Sequence, residues 1–319
     1  MSILARYLEL IRFSHTLFAL PFAFLGALMA WYMNYHPEVE GAAIIPFRLL
    51  DFVGILVCMV FARSAAMTFN RIADRKIDAL NPRTSSRHLC VGSLSLRSAV
   101  VFLVLSSLGF VAGTLCFLPR NPIPAVAALP VLLFLFGYSL AKRFTNLVHF
   151  WLGAALMLTP LAAWVALRGE VWVRAFQTWC DSGDLPLLLS ELSPFLLAGA
   201  VLFWSAGFDI IYACMDAAFD RTHGVFSIPG RYGVPAALRL AALCHFCVLL
   251  PLLALPMFFP PFSSIWLAGV LFIALLLIYE HAIVDVQDAK KVNIAFFHVN
   301  SIISLTLLGV GGVEIFLHW

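Results

Sequence analysis

The sequence predicts an all-α, polytopic membrane protein with nine transmembrane helices, and three observations carry that reading. Of 319 residues, 62% are hydrophobic, and the mean hydropathy is +0.97. Only 12% are charged, about half the ~25% of a soluble globular chain. A water-soluble fold of this length could not cover so much apolar surface. The apolar residues also gather into nine runs, each near the roughly 20 residues that a helix needs to cross a bilayer. The runs are 16–34, 51–70, 97–118, 122–141, 146–167, 193–215, 235–258, 264–283 and 294–317.

The first run follows Arg6 and Arg12 and could pass for a signal peptide. It is long enough to span, and Leu28-Met29-Ala30 is a poor cleavage site, so it reads as an uncleaved helix. The second run leads into the polar stretch 71–96. The third and fourth form a hairpin through Pro119 to Pro122. The fifth ends in the polar stretch 168–192, and the sixth enters 216–234. Pro260-Pro261 marks the turn between the seventh and eighth. No soluble domain remains outside these runs, so 1–319 reads as one membrane-embedded domain.

Seven cysteines lie mostly in apolar runs. Cys244 and Cys247 form a C-x-x-C without a second pair, so they read as small buried residues and imply no disulfide framework. Net charge is +3, which does not suggest nucleic acid. The distribution of charge says more. One side of the predicted bundle collects Arg6, Arg12, Arg71, Arg75, Lys76, Arg83, Arg87, Arg97, Lys142, Arg143, Arg221, Arg231, Arg239, Lys290 and Lys291. The other holds Arg48, Arg120, Arg168 and Arg174. The basic side is expected in the cytoplasm, with the N-terminus inside, the C-terminus outside and the chain in the inner membrane.

The same basic side carries two aspartate clusters. Asn70, Asp74 and Asp78 are spaced four apart and stack on one helix face. At the end of the sixth run Asp209, Asp216 and Asp220 again share one face, with Tyr212 beside them. Like charges four apart destabilise a helix unless something neutralises them. Asp209 sits two turns deeper, where an unpaired charge costs about 2.5–3.5 kcal/mol. Pairing with Arg75, Lys76 or Arg221 is one solution. A divalent cation is another, because Mg²⁺ takes a few carboxylates together with phosphate oxygens and water. That solution points to a diphosphate substrate.

NxxxDxxxD followed by DxxYxxxDxxxD, on the second and sixth of nine helices, resembles the UbiA superfamily of intramembrane prenyltransferases over essentially the whole chain. Further matches are Gly137-Tyr138-Ser139-x-x-Lys142-Arg143, Asn81-Pro82-Arg83-Thr84 and Ser227-Ile228-Pro229. Two departures are Arg71, where many members have aspartate, and the loop Arg87-His88-Leu89-Cys90-Val91-Gly92 in place of R-P-L-P-x-G. Within the superfamily the chain is similar to 4-hydroxybenzoate polyprenyltransferases and to their relatives in the futalosine route to menaquinone.

The resemblance implies a UbiA-type helical bundle and transfer of a polyprenyl group from its diphosphate to a small aromatic acid, for ubiquinone or menaquinone synthesis. It implies Mg²⁺ on Asn70, Asp74, Asp78, Asp216 and Asp220, with Tyr212 among the catalytic residues. Arg75, Lys76, Tyr138, Lys142, Arg143, Asp209 and Arg221 are then candidates for substrate binding. Fixed cations and metal stabilise the departing diphosphate, and the ring carbon ortho to the phenol attacks the allylic cation. A lipid-facing channel holds the tail.

Arg63 lies seven residues before Asn70 on nearly the same face, about 10 Å deeper. It either pairs with a buried carbonyl or Asp209, or binds diphosphate or the acceptor carboxylate. His15, Asn293 and Asn300 are expected to be packing or hydrogen-bonding residues. The competing classes are a transporter, whose site belongs near the midplane, a CDP-alcohol phosphatidyltransferase, whose DGxxAR signature is missing, and a prenyltransferase of the haem O or chlorophyll type.

Overall fold

The computed structural model of the protein describes residues 3–12, 16–36, 44–183 and 185–319. All regular structure among them is helical. In chain order the helices are α1 Ile3–Leu10, α2 Thr16–Tyr35, α3 Leu49–Leu80, α4 Leu96–Thr114 and α5 Ile123–Ala141. There follow α6 Val148–Ser182, α7 Leu185–Ser190, α8 Ser193–Ala213, α9 Ala217–His223 and α10 Ile228–Tyr232. The last four are α11 Val234–Ala254, α12 Ser264–Ile283, α13 Ala289–Asn293 and α14 Asn300–Leu317.

Eight helical stretches among the described residues are long and apolar enough to cross a membrane, against nine expected. The difference is α2, which forms as a 20-residue helix where the first run was expected and packs against α6 and α14. His15, expected to be a packing residue, lies outside the described residues. Leucines at 105, 108, 129, 133, 243 and 271 stay exposed on α4, α5, α11 and α12, as lipid-facing surfaces should.

The core forms where α2, α6, α8, α11, α12 and α14 meet. Trp164, Trp204 and Trp266 are among its largest fully buried side chains. Each indole N–H has an acceptor: Glu191 Oε2 at 3.1 Å, Asn300 Oδ1 at 2.6 Å and the Leu252 carbonyl at 2.8 Å. A buried tryptophan needs such a partner, because an unmade hydrogen bond in an apolar medium is costly. Asn300 also donates to Glu280 Oε1 at 3.2 Å and to the carbonyl of Phe296 at 3.1 Å. Its expected hydrogen-bonding role is what the fold uses. That carbonyl belongs to a π-helical turn, Ile294–Val299, that precedes α14.

The polar stretch 168–192 is mostly helix. α6 runs through it to Ser182. Arg168 is buried rather than solvated. It pairs with Glu191 and donates to Asn34 Oδ1 at 2.9 Å. The helix ends at Gly183, whose φ of 75° is the left-handed cap that glycine adopts without strain.

α6 and α8 run side by side along most of their length. Gly153 permits this, because a Cβ there would run into the backbone carbonyl of Leu202. Backbone cannot step aside, so Gly153→Val should cost at least about 1–3 kcal/mol and lower the melting temperature of the detergent-solubilised protein. Gly199, on α8, has open space at its Cβ position. Gly199→Ala should keep or slightly raise the melting temperature, since alanine favours helix by about 1 kcal/mol.

Candidate active site

α3 and α8 end at the same edge of the bundle, and their aspartates face one cavity of about 280 Å³. Asn70, Asp74 and Asp78 come from successive turns of α3, which continues unbroken to Leu80. The second cluster is built differently from its spacing. α8 stops at Ala213, the chain tightens into a 3₁₀ turn at Cys214–Asp216, and α9 resumes at Ala217. Asp209, Asp216 and Asp220 therefore do not share one continuous α-helical face. All three, with Tyr212, still line the cavity. The end of α5 adds Tyr138 and Lys142, and Arg63 reaches in from α3.

Most of these carboxylates already have a partner. Lys142 Nζ lies 2.6 Å from Asp74 Oδ2, and Arg143 Nη2 lies 3.3 Å from its Oδ1. Asn70 donates to Asp74 Oδ2 at 2.8 Å, while its own oxygen accepts from Arg71 at 3.1 Å. Arg87 Nη1 meets Asp78 Oδ2 at 2.5 Å. Arg83 forks onto Asp216, with Nε 2.8 Å from Oδ1 and Nη2 bonded to Oδ2, and Asn81 donates to the same Oδ1 at 2.9 Å. Arg83 also donates to the Tyr212 hydroxyl at 3.0 Å and lies 5.0 Å from the centre of its ring. Burial works against the charge on Arg83. Its bonds to Asp216 and the nearby Tyr212 and Asp78 outweigh that and hold its pKa above the ordinary value. Ser227 donates to Asp220 Oδ2 at 2.6 Å. Asp209 Oδ2 is held by His149 Nδ1 at 2.7 Å.

The cavity is thus lined by five aspartates and by six cations, Arg12, Arg63, Arg71, Arg83, Arg87 and Lys142. Arg63 donates to the carbonyl of Arg12 at 3.3 Å, and its Nε has no partner. Of the two structural pairings considered from the sequence, the one with a carbonyl forms and the one with Asp209 does not.

Arg75, Lys76 and Arg221 do not line the cavity. Residues one and two past Asp74 are turned by about 100° and 200° around the helix, away from it. Arg221 instead donates to the carbonyl of Gly230 at 3.3 Å. Arg143 reaches Asp74 from outside the lining. Their places are taken by Arg83 and Arg87, from the loop after α3, and by Arg71 and Arg12. Arg83 stands in the Asn81-Pro82-Arg83-Thr84 stretch, so a signal for it existed. His149 had none beyond being a lone histidine at the start of an apolar run.

Among the described residues no three His, Cys, Asp or Glu side chains lie close enough together to hold a metal ion. The donor set nonetheless suits Mg²⁺ in kind: hard carboxylate oxygens face one cavity from two directions. Asp216, forked by Arg83 on both oxygens, and Asp74, with a cation on each oxygen, would have to loosen those pairs to give a metal both oxygens.

A model of the UbiA prenyltransferase family matches residues 19–302. The 4-hydroxybenzoate octaprenyltransferase of Nitrosomonas eutropha is 30% identical over 255 residues, covering 79% of each chain. The solved apo structure of a UbiA homolog from Aeropyrum pernix superposes with a TM-score of 0.75 at 30% identity, over 95% of this chain and 98% of that one. A UbiA homolog from Archaeoglobus fulgidus, solved with DMAPP and Mg²⁺, shares the fold with a TM-score of 0.66 at 18% identity, over 98% of this chain and 99% of that one.

Proposed function

The chain belongs to the UbiA prenyltransferase family, and we propose that it transfers a polyprenyl group from polyprenyl diphosphate to a small aromatic acid of the 4-hydroxybenzoate kind, in quinone synthesis. The observation that carries this reading is the cavity in which two aspartate clusters interleave with arginine and lysine. Carboxylates alone would suit a metal, and cations alone an anion. Together they suit a diphosphate bound with a divalent ion. The name of the Nitrosomonas relative supports the acceptor class.

Asp74, Asp78, Asp216 and Asp220, with the amide oxygen of Asn70, would hold Mg²⁺, which supplies positive charge against the diphosphate. Freed from these carboxylates, Arg83, Arg87 and Lys142 turn to the phosphate oxygens. As the allylic C–O bond breaks, its electron pair goes to the diphosphate, and these cations stabilise that charge. The inner wall includes Phe208, Phe296 and Tyr212, with ring centroids 5.3 Å apart for the first pair and 4.4 Å for the second. It excludes water and offers ring faces to the allylic cation. The acceptor ring carbon then bonds to the allylic carbon, and one proton must leave the acceptor. Asp209, about 10 Å deeper along α8 than Asp216 and without a cationic partner, is suited to take it. Arg63, also without a carboxylate partner, suits the acceptor's own carboxylate. The excess of one cation over the aspartates in the lining favours an acidic acceptor.

Membranes containing the chain, given Mg²⁺, one prenyl diphosphate and a panel of phenols with and without a carboxylate, should yield a prenylated hydroxy-acid by mass. EDTA or Asp216→Ala should nearly abolish it, and full activity in either would sink the metal–diphosphate reading. Arg63→Ala should slow transfer to the acids about 10- to 150-fold, the worth of a charge-assisted bond, and hardly affect phenols lacking the group. An equal loss with every acceptor contradicts the carboxylate role. No product with any phenol, but product once a porphyrin or chlorin is offered, would favour the haem O or chlorophyll type.

The excess of arginine and lysine on the cavity side supports a cytoplasmic cavity in the inner membrane. Trp319 packs against Tyr32 and Tyr35 at the far end of α2, which supports an opposite placement for the C-terminus. A reporter fused after Trp319 should be non-cytoplasmic, and one inserted at Ser85 cytoplasmic. The reverse pattern overturns the orientation.

A further inference from the structure

His149 belongs to neither aspartate motif, yet it touches one carboxylate of the second and is tied to another of the same motif. It is the second residue of α6, and its side chain is only 3% exposed. Nδ1 lies 2.7 Å from Asp209 Oδ2, and Nε2 accepts the backbone N–H of Ile228 at 3.3 Å. A backbone N–H can only donate, so Nε2 carries the lone pair and the ring proton sits on Nδ1. The imidazole therefore donates to Asp209. It fixes one carboxylate oxygen and leaves Oδ1 with no hydrogen-bond partner among the described residues, on a side chain 16% exposed in the cavity wall.

The loop that sets this tautomer has a second task. Ser227, one residue before Ile228, donates to Asp220 Oδ2 at 2.6 Å, and Ser227 Oγ accepts from the Gly230 N–H at 3.1 Å, capping α10. Two adjacent residues thus link a carboxylate of the diphosphate end to the histidine behind Asp209. The close approach of α6 and α8 at Gly153 brings His149 within reach of that aspartate.

We infer that His149 is a positioning residue for prenyl transfer: its Nδ1–H aims Asp209 at the acceptor, and the Ser227-Ile228 loop holds the ring in the tautomer that can do so. This rests on the prenyl-transfer reading above and on Asp209 as the proton acceptor. His149 lines the cavity and hydrogen-bonds to none of the carboxylates assigned to the metal, so its loss should appear in turnover and not in diphosphate binding. In His149→Ala the carboxylate loses its only described partner and rotates freely, which should cut kcat about 10- to 100-fold.

The test is steady-state kinetics of wild type, His149→Ala and His149→Asn with prenyl diphosphate, 4-hydroxybenzoate and Mg²⁺, together with melting temperatures. Asparagine can set an amide N–H where Nδ1–H stood but cannot reach Ile228, so it separates donation to Asp209 from mere filling of space. The expected result is a lower kcat for His149→Ala, an unchanged KM for prenyl diphosphate, recovery of most of the turnover in His149→Asn and, since both variants leave the Ile228 N–H unpaired, a similar modest fall in melting temperature in the two. Unaltered kcat in His149→Ala overturns the inference. So does an equal loss of turnover in both variants, or a raised KM for prenyl diphosphate accompanied by a fall in melting temperature. A wild-type protein that prenylates no acceptor overturns the prenyl-transfer reading and this inference with it, whereas an active wild type with an indifferent His149 overturns only the latter.

Discussion

The ion pair between Arg83 and Asp216 joins the loop after α3 to the turn after α8 across the mouth of the cavity, and the arrangement of the site depends on it. Five aspartates line a space backed by an apolar bundle. At low dielectric such charges repel strongly, and an isolated one is expensive to bury. Here the compensation is shared out among separate elements. The end of α5 neutralises Asp74, and the loop after α3 neutralises Asp78 and Asp216. Because each cation comes from a different place in the chain than the carboxylate it serves, the pairs also fix how these elements sit. The loop is backed in turn by α1: Leu10 is buried with Leu89 and Leu94, and Arg6 donates to the Ser93 carbonyl at 2.9 Å. Arg12, just past α1, then reaches the cavity.

This arrangement links recognition to chemistry. A buried carboxylate that has lost its cation is costly unless another positive charge replaces it. A divalent ion can be that replacement, and the arginine or lysine it displaces can then serve the phosphate that accompanies the ion. Metal and diphosphate thus favour each other without any direct contact between metal and arginine. Away from the cavity, buried polar side chains bridge the helices, such as Asn300 between Trp204 and Glu280, or Arg168 with Glu191 and Asn34. They brace the helices and need no ligand.

The sequence made the scaffold and the carboxylates readable because both are periodic. Runs of about 20 apolar residues declare membrane helices, and a spacing of four declares a shared face on α3. What was hidden depends on tertiary contact. Arg83 and Arg87 stand in a loop, where no period says which way a side chain points. Arg75 and Lys76 lie beside Asp74 in sequence and were candidates for substrate binding, but the turn of the helix leaves them outside the cavity lining. The 3₁₀ turn at Cys214–Asp216 breaks the face that the spacing of Asp209, Asp216 and Asp220 implied. His149 was lost in an apolar run because its partner is 60 residues away. The continuation of α6 past 167 was missed for a related reason: the apolar run stops before Arg168, and only the fold reveals Glu191 and Asn34 around it.

The central claim is that protein cations hold the metal-binding carboxylates and give way to the metal. Mn²⁺, a paramagnetic stand-in for Mg²⁺, tests it by spin resonance on purified protein without any prenyl diphosphate. Arg83→Gln removes the competitor for Asp216, so Mn²⁺ should bind this variant about ten-fold more tightly than wild type, the worth of one charge-assisted bond. The same variant should bind inorganic diphosphate with Mn²⁺ more weakly, since the displaced guanidinium is no longer there to receive it. Mn²⁺ binding that is weakened or unchanged by Arg83→Gln would contradict the account.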